Sequence, residues 1–160
     1  MRTRRNFIIT LGAVAAGSSA ALACPAPVVA DRNHKVLMLN AACGDPDRPN
    51  VFEPALLRIN VGDSVTFLAM DEGHNTASKR GMVPDGATSW NGGLDEEKTI
   101  TFDVPGVYGY ICLPHYEVGM VGLIAVGDDL PNLKAAKKVR HPGKARRAFR
   151  ALFKQLEVKS

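Results

Sequence analysis

Cys112, His115 and Met120 fall within one short stretch, Cys112-Leu113-Pro114-His115-Tyr116-Glu117-Val118-Gly119-Met120. A thiolate, an imidazole and a thioether thus share a loop, and His74, followed by Asn75, offers a second imidazole from upstream. Two histidines, one cysteine and a weak axial methionine are the ligand set of a blue-copper electron-transfer centre. Zinc sites draw on Cys, His and carboxylate instead, and rarely on Met. The thiolate stabilises Cu(II), imidazole suits both oxidation states, and the thioether favours Cu(I) and tunes the potential. His74, Cys112, His115 and Met120 complete the coordination of one copper ion and leave no position for a substrate. The chemistry expected of the chain is single-electron exchange rather than catalysis.

A lone cysteine in an exported protein is more often half of a disulfide than a ligand. Cys112 departs from that rule by its spacing, with His115 three residues on and Met120 a further five. A reversal between two strands, Val107–Cys112 and Val121–Val126, gathers these side chains at one end of a sandwich. His74 follows a strand predicted over Ser64–Met70 and can approach from the adjoining loop.

The rest of the chain from Lys35 also reads as all-β. Val36–Leu39 is a short apolar run before the turn-rich Cys43–Asn50, and Phe52–Ile59 is extended, with Pro54 marking an edge or bulge. Residues 71–98 form a long, glycine-rich connection of the kind that carries function. Thr99–Phe102 resumes regular structure. Short strands separated by turn signals predict a Greek-key sandwich or barrel. Pro131 suits a first helical position, so Leu130–Val139 is expected as a short helix, and His141-Pro142-Gly143 breaks it. Lys144–Val158 places Ala145, Ala148, Phe149, Leu152 and Leu156 on one stripe with Phe153 at its margin, the spacing of an amphipathic helix packed on the body.

Charge is unevenly distributed. Residues 31–130 carry 7 basic and 15 acidic residues, whereas 131–160 carry 10 basic residues and only Glu157. The sequence pI of about 9.1 is therefore an average over an acidic body and a basic tail, and no aromatic–basic interleaving supports nucleic-acid binding. Residues 1–30 have a basic start, an apolar run and small residues at two cleavage positions, after Ala23 or, preferred, after Ala30. This is a signal peptide, and Thr3-Arg4-Arg5-Asn6-Phe7 resembles a twin-arginine export signal. It places residues 31–160 in a bacterial periplasm as one domain, with 131–160 a helical extension and no membrane insertion after cleavage.

Several motifs in the same order resemble the pseudoazurins, a cupredoxin family. They are Phe52-Glu53-Pro54-Ala55, Gly62–Phe67, Gly73-His74-Asn75, Gly81–Ala87, Cys112-x-Pro114-His115-x₄-Met120 and Gly122–Asp128. The resemblance implies an eight-stranded cupredoxin fold with two C-terminal helices and copper held by His74, Cys112, His115 and Met120. It also implies a monomeric shuttle whose partners are periplasmic redox proteins, copper nitrite reductase above all and c-type cytochromes besides.

Two departures from the family pattern carry expectations. Leu113 stands where a hydroxyl usually ties the ligand loop to the Asn after the first histidine, which predicts a shifted potential or a looser loop. Lysines at the copper end are thinned to Lys79 and Arg80, Ile111 replaces another, and Asp95, Glu96 and Glu97 crowd the long loop. Steering toward an acidic partner should weaken accordingly.

Outside the ligand set, Met38 and Met70 are expected in the core, Met82 and Pro84 on an apolar rim around His115, and Trp90 as a cover for the long loop. Cys43 is expected as a free thiol or an occasional intermolecular disulfide, and could pair with Cys24 if cleavage fell after Ala23. A copper nitrite reductase would need a second copper on further histidines, and this chain has only four histidines in all. A periplasmic copper-delivery protein, the alternative, relies on exposed Met or His clusters that exchange ligands readily, which a fully furnished Cys-His-Met loop does not resemble.

Overall fold

The computed structural model describes residues 32–158, so the expected signal peptide, Cys24 and both cleavage positions lie outside the described residues. Eight strands run in order: β1 Asn33–Ala42, β2 Asp45–Glu53, β3 Leu56–Ile59, β4 Ser64–Ala69, β5 Ala77–Ser78, β6 Lys98–Thr101, β7 Gly106–Ile111 and β8 Val121–Val126. Two helices follow, α1 Leu133–Ala136 and α2 Ala145–Val158. The strands form two four-stranded sheets, β2-β1-β4-β6 and β3-β8-β7-β5, with β1/β4 and β3/β8 parallel and the other pairs antiparallel. The eight-stranded all-β sandwich with two C-terminal helices matches the expected cupredoxin architecture.

Strand periodicity sorts the core. On β7, Tyr108 and Tyr110 face the sandwich interior beside Phe52, Phe67, Trp90 and Phe102, and Cys112 continues that face two residues on. Val107 and Ile111 face the other way, onto α1 and α2 with Leu123, Ala125, Phe149 and Phe153. All residues of β7 and β8 are buried because the helices cover the outer face of their sheet. A strand buried on both faces reads as a continuous apolar run.

Two glycines on these strands are required by packing. A Cβ on Gly122 would collide with the Tyr110 phenol, and one on Gly109 with the end of Met82. The helices are fastened at both ends. Asn132 exchanges two hydrogen bonds of 2.7 Å with the backbone of Val107, and Arg58 donates to the Leu156 carbonyl.

The expected elements differ from the observed ones in several places. The stretch read as turn-rich is mostly β2, an edge strand whose exposed residues need only backbone pairing to β1, an arrangement that admits Pro46 and Pro49. The first helix contracts to one turn. Phe153 is buried at 6% exposure rather than marginal, while Ala148 and Leu152 are only half-buried. Met38 is buried as expected, but Met70 is 58% exposed because it lies just past β4, on the face of Thr66 and Leu68. Met82 and Pro84 are buried against Gly109 and Gly106, so neither lines an exposed rim as expected. Trp90 is 7% exposed within the core, its Nε1–H donating to Thr76 Oγ1 at 3.1 Å. Cys43 is disulfide-bonded rather than a free thiol.

Candidate metal centre

The loop between β7 and β8 turns inside one end of the sandwich. Cys112 N–H donates to the Met120 carbonyl, and Met120 N–H to the His115 carbonyl, both at 3.1 Å, so the loop closes on itself immediately beyond the strands. His74 reaches the same point from the long connection after β4. Its Nδ1 lies 3.9 Å from Cys112 Sγ and 3.2 Å from His115 Nδ1, and His115 Nδ1 lies 3.6 Å from Sγ. Among the described residues, His74, Cys112 and His115 are the cluster of metal-ligating side chains, with ligand atoms all within 4.8 Å of one another. Met120 is fully buried in the same core cluster as Cys112.

The surroundings prepare these groups for a cation. His74 Nε2 lies 3.0 Å from Asn40 Oδ1, an acceptor, so Nε2 carries the proton and Nδ1 is left as the ligand atom. Burial, with the His115 ring beside it, lowers the His74 pKa and keeps its imidazole neutral. Burial pushes the Cys112 thiol up, while backbone N–H groups of Asn75 and His115 at the sulfur oppose that shift. With a cation bound, that penalty would be outweighed and Cys112 would be held as the thiolate. The backbone N–H groups of Gly73 and His74 donate to Asp95 Oδ1 at 2.7 and 3.1 Å, which fixes the approach of the remote ligand. Soft sulfur and neutral imidazole converging in this way suit copper.

The tie expected to fail at Leu113 is present. Asn75 Oδ1 accepts from the Leu113 backbone N–H at 2.7 Å, and Asn75 Nδ2 donates to the Gly92 carbonyl at 3.0 Å. A backbone donor makes the contact for any residue but proline after Cys112, so the tie to Asn75 that Leu113 put in question is made by the main chain. Leu113 itself points outward at 53% exposure. Ile111 is buried on the helix side of β7 and is not a surface position.

Sequence reasoning missed the partner roles of Asn40 and Asp95. Asn40 is exposed but continues the phase of buried Val36 and Met38 on β1, and a polar residue at that phase was the available signal. His34 and His141 have no metal-like company, as expected. His34 Nε2 lies 3.1 Å from Asp63 Oδ2, and His141 Nδ1 lies 2.8 Å from the Tyr116 hydroxyl.

Comparison with known proteins agrees with this geometry. Residues 42–127 match the family of copper binding proteins described as plastocyanin/azurin. A pseudoazurin of Methylorubrum extorquens is 43% identical over 89% of this chain and 94% of its own length. The chain belongs to the pseudoazurin family. A second member, from Paracoccus pantotrophus, is 40% identical over 89% of this chain and 96% of its own length. A solved Sinorhizobium pseudoazurin superposes with a TM-score of 0.75 at 45% identity, covering 78% of this chain and 96% of that one. As in other pseudoazurins, the cofactor is copper, and the protein is a blue-copper electron carrier, not an enzyme.

Proposed function

We propose that His74, Cys112, His115 and Met120 hold one copper ion, and that the protein is a periplasmic monomer passing single electrons to a redox enzyme such as copper nitrite reductase. c-Type cytochromes are the further partners of this reading. The observation that carries it is the convergence of His74 Nδ1, Cys112 Sγ and His115 Nδ1 within 4.8 Å, with Met120 buried at the close of the same loop. Copper supplies a reversible one-electron change when bound. The protein's part is to hold the ligands and to offer an exit. His74, Cys112 and Met120 are buried, so His115, half-buried, is the ligand through which electrons reach the surface. Leu113 and Val118, 53% and 51% exposed, with exposed Pro114, form an apolar rim beside it. A small dry contact of that kind suits a transient redox encounter.

The periplasmic assignment rests on residues 1–30 read as a signal peptide, with 31–160 as the working domain. No helix among the described residues is long and apolar enough to cross a membrane.

Copper-loaded protein should show an intense visible thiolate-to-copper band that bleaches on reduction and returns on oxidation. Cys112→Ser should abolish it, and the oxidised enzyme partner should restore the band of the reduced carrier by accepting its electron. Folded, copper-bound protein without that band would end the reading.

A further inference from the structure

Between its two ligands, the stretch Tyr116–Gly119 is held from outside as well as from within. Inside, Gly119 N–H donates to the Tyr116 carbonyl at 3.1 Å. Outside, the chain linking α1 to α2 runs across it. Lys144 N–H donates to the Glu117 carbonyl at 2.8 Å, and the Tyr116 hydroxyl meets His141 Nδ1 at 2.8 Å. The His141 ring lies on Phe149 of α2, with centroids 4.2 Å apart and planes inclined 31°. Phe149 is 1% exposed, so the imidazole is braced by the helix-side core. Two glycines permit the approach. Gly143 has φ +46 and no room for a Cβ beside the Glu117 carbonyl, while Gly119 has φ +105, a backbone conformation that favours glycine.

From the sequence, His141-Pro142-Gly143 reads only as a helix breaker. We infer that the His141–Lys144 linker is a strap that positions the ligand loop, with His141 and Gly143 as positioning residues for His115 and Met120. The inference rests on the ligand assignment proposed above. Tyr116 directly follows His115 in the chain, and Gly119 directly precedes Met120, so fixing those two residues restricts both ligands. Burial, with Lys79 nearby, lowers the His141 pKa to about 4. The ring is therefore neutral at pH 7 and Nδ1 can accept the Tyr116 proton. A glutamine carbonyl could accept the same proton, whereas leucine would keep the packing on Phe149 and lose the bond.

The test compares His141→Leu, His141→Gln and Gly143→Ala in the full chain, with and without copper. Without copper, amide hydrogen exchange of Gly119 and Met120 should quicken about tenfold in His141→Leu and Gly143→Ala, the worth of one net hydrogen bond. The Leu123 amide in β8 should be unaffected, and His141→Gln should stay near wild type. With copper, the relative intensities of the thiolate-to-copper bands should change in His141→Leu and return in His141→Gln. Unchanged loop exchange in His141→Leu overturns the strap. So does acceleration shared equally by Leu123, which would mean general destabilisation. If Gly143→Ala fails to fold, His141→Leu and His141→Gln still decide. A wild-type protein lacking the visible band would sink the ligand assignment, while the copper-free exchange data would judge the strap independently.

Discussion

Replacing Asn75 by Ala should cost far more than any change at Leu113 that keeps its backbone N–H, although the two residues share a hydrogen bond. The Asn75 side chain is 4% exposed and makes two bonds, accepting from Leu113 N–H at 2.7 Å and donating to the Gly92 carbonyl at 3.0 Å. Its removal strands both partners. Gly92 is buried, so its carbonyl incurs the full desolvation cost of a lost partner, about 1–3 kcal/mol. Leu113 is exposed and its N–H regains some water, which puts that loss near the lower end, about 1 kcal/mol. The sum is about 2–4 kcal/mol, against a total of about 5–15 kcal/mol for an ordinary domain. Asn75→Ala should thus fold with a clearly lowered urea midpoint in the copper-free state. Its Leu113 amide should exchange faster, and its copper-loaded spectrum should change because the loop carrying Cys112 has lost its tie.

Leu113→Thr provides the comparison. The tie uses the Leu113 backbone and the side chain is half in water, so stability should stay within about 0.5 kcal/mol. The potential should move by less than the roughly 59 mV that corresponds to a tenfold change in a one-electron equilibrium. Urea unfolding, hydrogen exchange and redox titration on the two variants settle the matter. Equal destabilisation by both, or an Asn75→Ala protein within about 0.5 kcal/mol of wild type, would refute the claim that a backbone donor carries the tie.

Three further outcomes follow from other parts of the molecule. The His34 hydrogen bond, with a second from Asn60 N–H, lowers the Asp63 pKa below its usual 3.8, so its contribution to stability is present above that value and lost as pH falls through the folded pKa. Asp63→Asn should therefore flatten the difference in urea midpoint between pH 6 and pH 3, and an unchanged slope would show that Asp63 plays no part. Phe149→Ala should lose about 3–5 kcal/mol by chemical unfolding, since the ring is fully buried between α2 and the sheet; a loss under about 1 kcal/mol would mean the helix-side cluster collapses to fill the gap. Transfer to an acidic nitrite reductase should fall only gently with added salt in stopped-flow measurements, because Asp71 and Asp95 beside His74 offset Lys79 beside Tyr116. A steep fall would contradict that balance.

The cluster of His74, Cys112 and His115 was legible because copper chemistry is written in residue types and close spacing. Cys112, His115 and Met120 need only a strand reversal to meet, and period-2 alternation carries Cys112 onto the inward face of β7. The sandwich was legible for the same reason, through runs such as Val107–Ile111 and Val121–Val126. What escaped was whatever depends on a partner far along the chain. β2 has two prolines bounding an exposed run, Pro46–Pro49, and only pairing with β1 makes it a strand. Met82 is buried because Gly109 leaves a hollow for it, a relation that neither residue announces alone. Met70 has the hydrophobicity of a core residue, but it falls on the outward phase just beyond β4.

The same distinction explains why Leu113 misled. A sequence departure at a contact position signals loss only if the side chain makes the contact. Here a main-chain N–H does, and that donor survives every substitution except proline. The ligands are in fact held through groups from three separate parts of the fold: Asn40 of β1 on His74 Nε2, Asn75 and Asp95 of the long connection on the backbone at Leu113 and His74, and the linker of the helical extension on Tyr116 and Glu117. For a ligand to follow a change of one charge at the metal, it would have to strain hydrogen bonds anchored in elements that are themselves packed. Those bonds act on His74 and on the residues next to Cys112 and His115 from three separate elements, so displacement of these side chains is opposed. Small displacement on reduction is the condition for fast electron exchange, and hydrogen bonds anchored in packed elements around the proposed ligands work toward it.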